Sequence, residues 1–273
     1  MATIKEINEN LKFIYTLKEI ILTYQEVANF KIKQIREKVL KNRKFFQELL
    51  KTYNIVASFY KKKKTIEKKE AIAVFLSADQ TFYGSLILDV WQKTKTFLSE
   101  RKIKLGVIGK VGKMLVSESK SIEDFYYFDL DVENIEKEKL LKIVNFLKNY
   151  QTIFVFHGKY ESLGKQIAVR EEIGKKLFLE EKVEESEKYI FEPSPAEIIN
   201  FFEKEIIGTF FHQALLEHQL SLNAARLMAM YKAGEKAKNE EKKLMMIKNK
   251  LKNEKNNKKI IELFFQQTWQ REQ

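Results

Sequence analysis

The chain has 273 residues, of which 44% are hydrophobic, and it carries 50 Lys and Arg against 38 Asp and Glu. This size and apolar content exclude a wholly disordered chain and predict one or two folded domains with a basic surface. The absence of cysteine excludes disulfides and thiolate metal sites, three histidines leave little for a metal centre, and no membrane span or signal peptide is expected.

A seven-residue apolar repeat begins at Ile4 and continues to Leu49, with eleven of its fourteen a and d positions apolar. No proline interrupts it, and the first glycine is Gly84. A seven-residue repeat held for seven heptads is typical of a left-handed coiled coil. We therefore predict an N-terminal coiled-coil helix over residues 1–62, ended in a solvated turn by the lysine run at 61–64.

After this helix, short apolar runs alternate with segments in which apolar residues recur at helical spacing. This alternation is typical of a parallel sheet covered by helices. Residues 70–190 are thus predicted to form an inserted, Rossmann-like α/β domain with a mostly parallel sheet. Its expected strands are 71–76, 103–108, 125–128, 152–156 and an added edge strand at 165–170, and its main helices are 86–98 and 135–150.

Both prolines of the chain, Pro193 and Pro195, mark the start of a last helix. Apolar residues continue at helical spacing beyond residue 260, so the pattern predicts a C-terminal helix over 195–270. We expect it to pair with the N-terminal helix as an antiparallel coiled coil. The predicted seam places Ile14 and Ile21 near Leu220 and Leu227.

Few patterns point to chemistry. The segment Gly106–Lys113 matches the start of a phosphate-binding loop, but Met114 replaces the hydroxyl residue that holds Mg²⁺. His212 and His218 would lie on nearly opposite sides of a helix and cannot share a metal. His157 follows a predicted strand without an obvious relay, so no catalytic residue is assigned.

Two charged segments are interpreted as surface. The lysine-rich stretch 242–259 favours a solvated helix face or contact with acidic protein surface, with nucleic-acid binding as a weaker alternative. The acidic stretch 180–187 is interpreted as a solvated connection.

The C-terminal helix carries a specific signature, read in His212-Gln-Ala-Leu-Leu-Glu217 and Ser221-Leu-Asn-Ala-Ala-Arg-Leu-Met-Ala-Met230. This pattern resembles the C-terminal helix of the gamma subunits of F-type ATP synthases. Ile4-Lys-Glu-Ile7 and Leu11-Lys12 are similar to that family's N-terminal helix. The resemblance covers both ends of the chain in register.

The middle resembles the family at fewer positions. The loop after the first predicted strand keeps Asp79, Gly84 and Leu86 but lacks the family's arginine and two of its glycines. Gly109-Lys-Val-Gly112 is similar to a Gly-Arg-Lys-Gly turn of the family, which replaces the phosphate-loop interpretation.

The resemblance implies a non-catalytic central shaft whose paired helices enter a hexameric ring of ATPase alpha and beta subunits. It also implies an epsilon-like subunit and, at the membrane-side end, a membrane ring or a motility-machinery component. No cofactor, metal or nucleic acid is expected, and the chain is expected in the cytoplasm, peripheral to the membrane.

The resemblance also suggests ring contacts, at Ala225, Arg226, Met230, Lys252, Asn253 and Asn257. Lys252, Asn253 and Asn257 stand where the family has Arg, Gln and Thr. Arg226 is one of only six arginines among 50 cationic residues, and a planar donor retained in so lysine-rich a chain indicates a carboxylate or carbonyl contact on the ring. A pair within the shaft, with Glu19 or Glu26, is the alternative.

Three other functions stay open. One is the shaft of a specialised ATPase motor, such as mollicute gliding machinery. The others are a basic coiled-coil scaffold and a nucleic-acid-binding protein.

Overall fold

The computed structural model describes residues 3–58, 69–119, 122, 124–173, 192 and 194–271. Two long helices, α1 (Ile4–Ser58) and α5 (Pro195–Arg271), enclose an α/β domain in sequence. The fold class expected from the sequence is therefore confirmed. The predicted turn at 61–64 and the acidic stretch at 180–187 lie outside the described residues.

Both long helices begin at a cap that the sequence encodes. The backbone N–H of Thr3 donates to the Glu6 carboxylate (2.8 Å), and the N–H of Glu6 donates to the Thr3 hydroxyl (3.2 Å). At the start of α5, the N–H of Glu197 donates to the Ser194 hydroxyl (3.3 Å), with Pro195 in the first helical position. These bonds satisfy donors that a helix start leaves free.

The inserted domain has a five-stranded sheet in the order β3-β2-β1-β4-β5. Strands β1 to β4 pair in parallel, and β5 pairs antiparallel with β4. The apolar run Ile72–Leu76 of β1 is fully buried because both faces of this central strand are covered. The strands are β1 Lys69–Leu76, β2 Lys104–Ile108, β3 Phe125–Phe128, β4 Tyr150–Ser162 and β5 Lys165–Ile173, and the helices are α2 Leu86–Glu100, α3 Lys110–Glu118 and α4 Lys137–Leu147.

The phosphate-loop pattern forms a tight strand-to-helix turn. Gly109 has a φ of +94°, which only glycine adopts without strain, and a Cβ there would lie 2.8 Å from the backbone nitrogen of Ala78. A Cβ at Gly112 would lie 2.6 Å from Cβ of Ser77. These glycines let α3 approach β1, and the ammonium of Lys113 lies over the Tyr127 ring.

The chain divides into two compact units, Met1–Val27 with Leu227–Gln273, and Ala28–Arg226. This division differs from the predicted one, because it groups the C-terminal half of α1 and the N-terminal part of α5 with the α/β domain. We call the two units the terminal unit and the central unit.

In the terminal unit, α1 and α5 pack antiparallel. Ile14 and Ile21 form a buried cluster with Met230 and Ala237, and Lys18 forms an ion pair with Glu241 (2.7 Å). The predicted register is therefore wrong. Ala233 packs against this cluster and Gly234 lies beside Ile21, so the seam lies in the alanine-rich part of α5. Leu220 and Leu227 are buried but do not belong to this cluster.

In the central unit, the same two helices pack through Leu49, Tyr53 and Val56 of α1 and Ile199 and Ile206 of α5. A polar layer interrupts this seam.

In that polar layer, the Asn42 amide donates to the Gln213 side chain (2.8 Å) and to the Thr209 carbonyl (3.3 Å). The side-chain oxygen of Asn42 lies 3.3 Å from Nδ1 of His212. Polar residues at seam positions that satisfy one another fix the register of a coiled coil.

His218 joins α5 to the sheet. Its Nδ1 accepts the backbone N–H of Gly158 (2.9 Å), and its Nε2 donates to the Ser77 carbonyl (3.1 Å). Burial, followed by the nearby charge of His157, lowers the pKa of His218 to about 3. The ring is therefore neutral and links the end of β1 and the interior of β4 to α5.

We expect the free energy of unfolding to fall as the pH falls below 6.5. The folded pKa of His218 lies below its unfolded value, so the unfolded chain binds the proton first, and the loss should reach about 2 kcal/mol by pH 5. Urea unfolding at several pH values measures this slope. His218→Gln should reduce it and His212→Gln should leave most of it, whereas an unchanged slope in His218→Gln would contradict the assignment.

Candidate functional site

The six predicted ring contacts divide into buried and exposed residues. Ala225, Arg226 and Met230 are buried within this chain, with Arg226 only 2% exposed. They cannot present their side chains to a surrounding ring, so this part of the prediction is wrong. Lys252, Asn253 and Asn257 are exposed on α5 and stay predictions.

The three predicted loop residues lie between the end of β1 and the start of α2. The side chain of Asp79 accepts the backbone N–H of Lys110 (2.8 Å), which begins α3. Gly84 adopts a φ of +60°, and Leu86 begins α2 in the domain core. These residues therefore shape the loop that carries Gln80 and Tyr83.

Arg226 lies at the centre of a buried network. Its Nη1 lies 2.9 Å from the Glu133 carboxylate, and its Nη2 donates to the Tyr83 hydroxyl (2.6 Å) and to the Gln80 side chain (3.0 Å). The guanidinium carbon lies 4.4 Å from the centre of the Tyr83 ring. The alternative pair with Glu19 or Glu26 is therefore wrong as well.

Glu133 connects this arginine to both long helices. Its carboxylate accepts hydrogen bonds from Tyr83 (2.7 Å) and from the ammonium of Lys31 on α1. Its backbone carbonyl accepts the side chain of Gln219 on α5 (2.8 Å), and its own N–H donates to Asp131 (2.9 Å). We call Lys31, Gln80, Tyr83, Glu133, Gln219 and Arg226 the Arg226–Glu133 network.

The electrostatics of the network keep Glu133 charged and Tyr83 protonated. Burial alone would raise the pKa of Glu133, but hydrogen bonds from Lys31 and Tyr83 and the charge of Arg226 outweigh it and lower the pKa. Burial and the neighbouring Glu133 carboxylate raise the pKa of Tyr83 far above its usual value. Tyr83 therefore acts as a stable donor.

The network occupies the carboxyl edge of the parallel strands. Gln80 and Tyr83 follow β1, and Glu133 lies beyond β3. Open α/β sheets bind their ligands at this edge. In this chain α5 places its own arginine there, and the network joins α1, α5 and two loops of the domain.

Sequence reasoning missed Glu133, Tyr83, Lys31 and Gln219. The signal that could have found Glu133 is its position in the segment after the aromatic strand, where parallel strands present their loops. The rarity of arginine correctly indicated that Arg226 makes a multi-donor contact, but not that its partner lies within the same chain.

Two other kinds of feature are absent from the part of the chain that the structure describes. Among these residues, no group of three or more His, Asp or Glu is placed to hold a metal ion. None of the described helices combines the length and apolar character needed to cross a membrane.

Comparison with known proteins identifies the family. A family model described as "ATP synthase" matches residues 3–264. The ATP synthase gamma chain of Dictyoglomus thermophilum is 26% identical, covering 96% of this chain and 96% of the relative. The gamma chain of Pelagibacter ubique is 24% identical, over 96% of this chain and 98% of the relative.

Solved structures share the fold. A chain of the Euglena gracilis mitochondrial ATP synthase, from an OSCP/F1/c-ring structure, covers 97% of this chain and 93% of its own length, with a TM-score of 0.63 and 15% identity. A chain of the Tetrahymena thermophila central stalk and c-ring covers 78% of this chain and 99% of its own length, with a TM-score of 0.59 and 20% identity. Because the family model spans both long helices and the inserted domain, the chain belongs to the ATP synthase family in which these relatives are gamma chains.

Proposed function

We propose that this chain is the gamma subunit of an F-type ATP synthase, the rotor of its central stalk. The family match carries the proposal, because residues 3–264 include α1, the α/β domain and most of α5. The Tetrahymena and Euglena neighbours are described as central stalk and rotor, which agrees with a shaft built from paired helices.

The proposal assigns the chain a mechanical role and leaves ATP chemistry to its partners. Those partners are a ring of alpha and beta subunits, an epsilon-like subunit and a membrane ring. The chain would then lie in the cytoplasm at the membrane surface, as part of the complex.

The contacts within the central unit suit such a role. The Arg226–Glu133 network joins both long helices to two loops of the α/β domain, so a torque applied to the helices reaches the domain through charged and hydrogen-bonded side chains. The polar layer at Asn42 and the apolar seam at Leu49 and Ile206 resist sliding of one helix along the other.

Assembly tests the proposed function. The chain, expressed with alpha and beta subunits, should copurify in a complex that hydrolyses ATP, whereas the chain alone should give no binding heat with Mg-ATP in calorimetry. Stoichiometric Mg-ATP binding by the chain alone, lost in Lys113→Ala, would contradict the shaft.

The exposed ring-contact candidates give a sharper prediction. Lys252→Glu should leave the isolated chain folded and weaken its binding to the alpha/beta ring about tenfold, because charge reversal at an interface acts on association. Lys142→Glu makes the same change on α4, where the residue is also exposed, and should bind normally. Equal binding of both variants would remove Lys252 from the interface.

A further inference from the structure

Two arginines of the central unit stack on one phenylalanine. Arg101 is the C-terminal cap of α2 and Arg170 lies on β5, and each guanidinium carbon is 4.9 Å from the centre of the Phe97 ring. The same carbons lie 5.8 Å and 5.7 Å from the centre of Phe154. Because each guanidinium carbon is 4.9 Å from the same ring centre, the two carbons are at most 9.8 Å apart.

Neither guanidinium has a carboxylate partner among the described residues. Two other arginines of the central unit do, since Arg43 pairs with Glu217 and Arg226 pairs with Glu133. Arg101 and Arg170 are both exposed, so their donors face solvent. Two fixed like charges without a counterion attract an anion.

The surface beside these arginines is a cleft of about 480 Å³. Its walls combine the aromatic side chains of Phe97 and Phe156 with the polar side chains of Thr96 and Glu100.

The ammonium of Lys93, which also lines the cleft, is already bonded to the Ala168 carbonyl (2.8 Å). The free donors at the cleft are therefore mainly those of the Arg170 guanidinium, and the Arg101 guanidinium lies on the same Phe97 ring that forms part of the cleft wall.

We propose that Arg101 and Arg170 bind a carboxylate of an acidic segment of a partner polypeptide. A guanidinium presents paired donors that match a planar carboxylate, and stacking on Phe97 holds those donors in place. A membrane surface is attracted by broad clusters of Lys and Arg, whereas this site is compact and includes Glu100.

This inference rests on the proposed function only in placing the partner within the rotary complex. The experiment uses that complex, assembled from full-length subunits, with the photoreactive residue benzoylphenylalanine in place of the exposed Thr96. Irradiation should link the chain to another subunit, at a segment that mass spectrometry shows to contain Asp or Glu.

Charge variants make the test specific. Arg101→Glu with Arg170→Glu should reduce the crosslink at least about tenfold, since each carboxylate would then meet like charge. Arg101→Lys with Arg170→Lys keeps the charge but removes the planar, paired guanidinium donors on Phe97, and should also reduce the crosslink. Lys142→Glu, on α4, should leave the crosslink unchanged.

Several results would overturn the inference. They are an adduct with lipid, an adduct at a segment without Asp or Glu, a crosslink that survives charge reversal, and no crosslink in a complex that has assembled. Failure of the chain to copurify with alpha and beta subunits would instead count against the proposed function.

Discussion

Replacing Arg226 with methionine should lower the free energy of unfolding by about 3 kcal/mol, because the change removes the guanidinium that faces the buried Glu133 carboxylate. Tyr83 and Gln80 also lose their donor. Lys31 still pairs with the other oxygen of Glu133, so complete loss of folding is not expected. Chemical denaturation of the purified chain measures the effect.

The double variant Arg226→Met with Glu133→Leu should recover at least half of that loss, since the charge that then loses its partner, Lys31, is 32% exposed. Arg36→Met is the matched control, because Arg36 lies exposed on α1 within the central unit. If the double variant lost as much free energy of unfolding as the two single variants lost together, the pair would be shown not to interact.

The network also predicts an acid dependence. The folded pKa of Glu133 lies below its usual value of 4.5, so its contribution is complete above that pH and is lost on further acidification. Wild-type protein should therefore lose more stability below pH 4.5 than the double variant does.

Replacing Ile21 with aspartate should cost several kcal/mol, on the order of 3, because an unpaired carboxylate would be buried in the terminal unit. Ile21 is 4% exposed and packs in the cluster with Met230 and Ala237. Thermal unfolding followed by circular dichroism should show a lower midpoint and loss of helix.

Leu22→Asp is the control, because the neighbouring residue is 55% exposed and points away from the cluster. Its midpoint should stay within a few degrees of the wild-type value. If the two aspartate variants behaved alike, the antiparallel seam at Ile21 would be contradicted.

Local patterns predicted the elements well because they depend on neighbours in sequence. The absence of glycine and proline before Gly84 predicted α1, and the apolar run at Ile72–Leu76 predicted a covered strand. The register between α1 and α5 was predicted less well. Many heptad positions offer an apolar partner, so the repeat alone does not select Met230 and Ala237 as the residues that pack with Ile14 and Ile21.

The network escaped prediction because its residues come from four separate segments. Lys31 and Arg226 lie on different long helices, while Tyr83 and Glu133 follow different strands. Only the order of the sheet brings these loops to one edge. The rarity of arginine predicted that Arg226 makes a specific contact. The alternative partners Glu19 and Glu26 were chosen because the two long helices were expected to pair, and the inserted domain was not considered.

The central claim, that this chain turns inside a catalytic ring, is tested most directly by single-molecule rotation. The chain contains no cysteine, so Leu163→Cys in the exposed turn between β4 and β5 provides one attachment point for a gold particle. With the alpha/beta ring fixed to a surface and ATP added, the particle should rotate in one direction in discrete steps. Continued ATP hydrolysis by the assembled complex with a particle that does not rotate would contradict the rotor.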